Sequence, residues 1–129
     1  MVNLETNYLG LTLKNPLVAA SSGITSSVEK IVNLEEAGIG AVVLKSLFEE
    51  QINNEVTSML LKDYHNTGYP EAEDYIRNYL RDNSVTTHIK LIEETKKAVS
   101  IPVIASVNCV SASEWTSFAG EFQEAGADA

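Results

Sequence analysis

The chain has 129 residues, 44% of them hydrophobic and 21% charged, which is enough for one modest globular domain. Its net charge of −9 and pI near 4.6 argue against nucleic acid or an anionic membrane surface as a partner. No apolar run approaches a membrane span, Met1 to Glu5 lacks signal-peptide character, and the single Cys109 precludes an internal disulfide, so the cytoplasm is the expected compartment.

Residues 1–14 read as a hairpin. Leu4, Thr6 and Tyr8 alternate before Leu9-Gly10, and Leu11 and Leu13 follow. After Asn15-Pro16, Leu17 to Ala20 is a short apolar strand that opens into Ser21-Ser22-Gly23. A helix should follow, with Ser26 and Glu29 spaced as a capping box and Ala37-Gly38 as its stop. Ala41 to Leu44 is a β-branched run flanked by glycine, as expected of a strand buried on both faces, and it closes on Lys45-Ser46. Residues 15–47 thus form a strand–helix–strand unit. A lysine at such a strand end either simply points into water or stands at the mouth of the sheet, where α/β folds bind ligands.

From 48 to 84 the pattern changes to a polar excursion. It contains the turn-like His65-Asn66-Thr67-Gly68-Tyr69-Pro70 and a helical stretch, Glu71 to Leu80. Long excursions of this kind are either binding loops or plain surface elaboration. Residues 85–129 resume the alternation with a helix over Val85 to Val99 and a strand over Val103 to Val107 ending in Asn108-Cys109. A last helix, capped by Ser111 or Ser113, should turn Trp115, Phe118, Ala119 and Phe122 inward.

Two segments superimpose. Asn15-Pro16-Leu17-Val18-Ala19-Ala20 matches Ile101-Pro102-Val103-Ile104-Ala105-Ser106, and both following helices end in Glu-Ala-Gly, at residues 36–38 and 124–126. The expected architecture is α/β: the N-terminal portion of a (β/α)8 TIM barrel with an N-terminal hairpin and about three βα units, the barrel incomplete. A small complete α/β domain is the alternative.

In order, the Asn-Pro-Leu-Val-Ala-Ala-Ser-Ser-Gly strand, the Val-Val-Leu-Lys-Ser strand and the Ala-Ser-Val-Asn-Cys strand with its following Glu-Trp resemble the N-terminal half of the class 1 dihydroorotate dehydrogenases. The third strand and its helix are also similar to the flavin domain of dihydropyrimidine dehydrogenases. The resemblance implies a flavoprotein of pyrimidine metabolism that binds FMN and moves a hydride between a dihydropyrimidine ring and the flavin. It assigns Ala20, Ser21, Ser22, Gly23, Lys45, Ser46 and Asn108 to FMN, with Lys45 also between flavin and substrate. It assigns Asn66, Gly68 and Tyr69 to the substrate, although the family's Asn stands three residues before the Gly, where this chain has His65. The family's catalytic base lies on a loop after the fourth strand, beyond these residues, so the isolated chain is expected to be inactive. A non-catalytic barrel fragment that folds by self-association is the other reading, and a homo-oligomer is expected. No metal site is expected, since His65 and His88 are far apart with no ligand-spaced partner. Cys109, on the wrong strand for the base, reads as a small buried residue.

Overall fold

The computed structural model describes residues 2–48, 54–55, 57–58, 70–110 and 112–129. Among them, the chain forms a mixed α/β structure with three helices and three small sheets, none of them closed. No helix among the described residues is long and apolar enough to cross a membrane.

The N-terminal hairpin pairs β1 (Thr6–Tyr8) with β2 (Leu11–Leu13) in antiparallel register. Its two-residue loop has φ of 52° at Leu9 and 78° at Gly10. Positive φ at both central residues is the turn whose twist matches a right-handed hairpin. Asn is the usual first residue there, so the leucine is an uncommon choice.

Strand β3 (Val18–Ala19) leads through a 3₁₀ turn (Gly23–Thr25) to helix α1 (Val28–Glu36) and then to β4 (Ala41–Val43). The capping box expected at Ser26 and Glu29 is not the one formed. Ser27 occupies the N-cap without a side-chain bond, and the reciprocal pair is Ser22 with Thr25. The physical reason is that the 3₁₀ turn comes first, so Ser26 Oγ is already donating to Gly23 O at 2.9 Å. Helix α1 stops as expected. Its last turn closes into Gly38 at φ 99°, and Gly126, the matching glycine of the second copy, has φ 95°. Gly40 has a different constraint. A Cβ there would stand 2.2 Å from the backbone oxygen of Asn15, so the loop into β4 admits no side chain.

The central sheet has the order β3–β4–β6, all parallel, with β6 at Val103–Ile104. Past its carboxyl edge, β5 (Leu47–Phe48) pairs with β7 (Val107–Asn108), again in parallel. These are upward continuations of β4 and β6, with an irregularity between the two layers. Val43 opposes Ile104 and Leu47 opposes Val107, so four steps on one strand match three on the other. That is a β-bulge of one residue at Lys45-Ser46. Across it the expected strand over Val103 to Val107 appears in two pieces, and the strand expected over Ala41 to Leu44 is followed by the further short strand β5. The bulged Lys45 turns its N–H away from the ladder to Thr25 O, at 3.1 Å, and Leu47 N–H rejoins the sheet at Ser106 O, at 3.0 Å.

The two helices expected over 71–80 and 85–99 are one, α2 (Pro70–Ala98). Arg81-Asp82-Asn83-Ser84 contains no Gly or Pro, and its polar residues alone do not break a helix. Helix α3 (Ala112–Glu124) buries Phe118 and Phe122. It does not bury the whole expected face: Trp115 is 46% exposed with its indole N–H on Cys109 O, and Ala119 is exposed. The expected cap at Ser111 lies outside the described residues.

The sheet has two different faces. Val42, Leu44 and Val103 join Ile31 of α1, Val85 and Ile92 of α2, and Phe118 and Phe122 of α3 in the main core, which also holds Cys109. The alternate residues Ala41 and Ile104 meet Leu13 of the hairpin in a smaller cluster on the other side. Helices α1, α2 and α3 therefore lie on one face, and the hairpin covers the other. After α3, residues 127–129 run beside β6, with Asp128 N–H on Val103 O at 2.9 Å and Ala105 N–H on Ala129 O at 2.8 Å. The Asp128 carboxylate fixes this register by accepting from Val103 N–H and from Lys96 Nζ, each at 2.8 Å.

Candidate functional site

Three parallel strands end side by side, and each contributes a serine to its end. Ser21 Oγ and Ser46 Oγ are 2.9 Å apart, Ser46 Oγ and Ser106 Oγ are 2.6 Å apart, and Ser46 N–H donates to Ser21 Oγ at 2.9 Å. The bulge makes this row possible. Without it, side chains would alternate strictly, and Ser46 would share the helix-facing side of Val42 and Leu44. With one residue inserted, Leu47 packs on the helix side instead, and Ser46 falls in step with Ser106 on the other.

The 3₁₀ turn is held against this row by Thr25, which is fully buried. Its hydroxyl donates to Ser22 O and accepts from Ser22 N–H, both at 3.1 Å, while its carbonyl takes the Lys45 N–H. Ala20, Ser21, Ser22 and Gly23 are all exposed along the rim, with open space where a Gly23 Cβ would stand. Asn108 is exposed at the end of β7, opposite Phe48, and its side chain makes no hydrogen bond among the described residues.

Lys45 is exposed and lines an open cleft of about 560 Å3 between the start of α1 and the middle of α2. Ser46 borders both the cleft and the serine row, whereas Ala20 to Gly23 and Asn108 lie outside the cleft. The expected site residues therefore fall into two adjoining regions rather than one. Asn66, Gly68 and Tyr69, expected to meet the substrate, lie outside the described residues.

Two participants escaped the sequence reading. Ser106 completes the hydroxyl row, and its signal was present, because it is the counterpart of Ala20 in the internal repeat. His88 lines the cleft on α2, and burial lowers its pKa from the ordinary 6.5 by penalising the imidazolium. No group of three or more metal-ligating side chains occurs among the described residues.

No family model matches the chain, and no curated protein matches it.

Proposed function

We propose that these residues are the first three βα units of a (β/α)8 barrel and carry one side of an FMN site in a cytoplasmic oxidoreductase of the dihydroorotate dehydrogenase type. The barrel reading is supported by the strand order. Each crossover moves to the next position in the same direction, and all three helices cover one face. A doubly wound sheet reverses direction and covers both faces. The site reading is supported above all by the hydroxyl row Ser21–Ser46–Ser106 at the carboxyl ends of adjacent parallel strands, where such folds bind ligands.

The donor set fits the cofactor. Exposed hydroxyls and an open glycine offer close backbone approach, Asn108 offers an unengaged amide, and Lys45 has no ionic partner among the described residues. The flavin supplies a hydride acceptor when bound. The chain's own residues orient it: Ser21 and Ser22 by hydroxyl and backbone contact, and Asn108 at the polar edge of its ring. Lys45 supplies fixed positive charge where negative charge develops.

The test is the visible absorption spectrum of the purified chain after incubation with FMN and desalting. Retained flavin absorbance is expected, with Lys45→Ala weakening retention by about tenfold, a loss of about 1.4 kcal/mol from one charged contact. A colourless protein, or equal retention by the folded variant, would overturn the assignment.

A further inference from the structure

Above the serine row, β5 and β7 carry one more layer of side chains on the side away from the helices. Leu47 and Val107, opposite each other, pack into the helix-side core. Side chains alternate along a strand, so the flanking pairs Ser46–Ser106 and Phe48–Asn108 share the other side, about 7 Å apart along the strands. Phe48 is half-buried, yet it belongs to none of the three apolar clusters and makes no ring contact among the described residues. The ring therefore plays no part in holding the sheet to its helices or to the hairpin. Beside it stands the exposed Asn108, whose amide makes no hydrogen bond among the described residues. Neighbouring strands lie about 4.8 Å apart, so the aromatic face and the amide reach the same small volume. An amide offers donors and an acceptor in one plane and pairs with the polar edge of a heterocycle, while an aromatic ring packs on its face. A sugar or an aliphatic acid would use the amide and leave the ring unmatched.

We propose that Phe48 and Asn108 together hold a planar nitrogen heterocycle at the carboxyl ends of β5 and β7, with Phe48 against its face and Asn108 on its polar edge. Phe48 is then the residue that makes the site select a flat ring, and the hydroxyls of Ser46 and Ser106 lie one layer below it. Two rings meet that description, the isoalloxazine of a flavin and the pyrimidine of a substrate, and the chemistry of recognition is the same. The proposal rests on these strand ends being a ligand site, and not on the ligand being FMN.

The experiment titrates riboflavin and uracil, rings without a phosphate, separately into the full chain and follows the Asn108 side-chain amide by NMR. Saturable shifts with at least one of them are expected, with intermolecular NOEs between that probe and the Phe48 ring protons. Phe48→Leu, which keeps an apolar side chain but no aromatic face, should weaken the binding about tenfold, and Phe48→Tyr should restore it. With riboflavin bound, Phe48→Trp should quench the flavin fluorescence, which a side chain acting only on the fold would not do. No shift with either ring, absence of the NOEs, or equal affinity in a folded Phe48→Leu variant would overturn the proposal. Binding of uracil but not riboflavin would uphold it while removing the flavin assignment. Riboflavin binding that is indifferent to Phe48→Leu would do the reverse.

Discussion

His88 illustrates how one residue ties stability to acidity. Its side chain is packed 4.9 Å, centroid to centroid, from the ring of Phe122, between α2 and α3, and burial is the cause of its lowered pKa. The unfolded chain therefore takes up a proton near pH 6.5, where the folded chain does not. By linkage, folding free energy is undiminished above that pH and falls as the pH drops through 6.5 toward the lower folded value. His88→Leu should remove that acid-side slope, measurable as urea midpoints that become independent of pH between about 7 and 5 for this contribution. An unchanged slope in the variant would assign the acid sensitivity elsewhere. Glu35 contributes a slope of the same sign at lower pH. Its carboxylate accepts from Ser100 Oγ at 2.7 Å and from the amides of Ser100 and Ile101, and the hydroxyl bond leads in holding its pKa below 4.5.

Among the elements, the bulge between β4 and β5 does the most to shape the rim. Deleting Lys45 would remove the extra residue and keep Ser46 opposite Ser106 and Leu47 opposite Val107, with Leu47 still on the helix-facing side. Deleting Lys45 and Ser46 together would turn Leu47 off that core, and exposing this partly buried side chain costs on the order of 1–2 kcal/mol. The double deletion should therefore lower the denaturation midpoint far more than deletion of Lys45 alone. Equal midpoints for the two variants would show that the strand carries no such constraint. The strands themselves were legible because their apolar runs are short, β-branched and bounded by glycine. The bulge was not legible, since an extra residue in Leu44-Lys45-Ser46-Leu47 is visible only against its partner strand. Helix α2 was misread as two for a related reason. Its polar middle, residues 81–84, interrupts the hydrophobic pattern without interrupting the backbone. Trp115 looked internal by spacing alone, and only the packing of α3 through Phe118 and Phe122 decides which face is covered.

At the scale of the whole molecule, the sheet is backed by helices on one side only, and β3 pairs with a neighbour on one edge only among the described residues. An open parallel edge favours pairing with another strand, which is the basis of the homo-oligomer we propose. Sedimentation velocity should show a dimer or larger species at micromolar concentration, dissociating on dilution. A monomer at every concentration would remove that proposal. Much of the candidate rim was readable because chain order places successive strand ends side by side. The cleft on α2 was not, because His88, Lys90 and Glu94 stand more than 40 positions from Lys45 in sequence and meet it only once the helix has crossed back over the sheet.

The hydroxyl row has one further consequence. Each serine carries a single proton, and in either arrangement in which every hydroxyl donates to the next, one end of the row is left as a donor and the other only as an acceptor. A ligand atom that accepts from Ser21 selects one polarity of the chain, and a donor there selects the opposite. The choice is transmitted through Ser46 to Ser106 without any heavy atom moving, so what binds at the first strand alters the proton presented at the third.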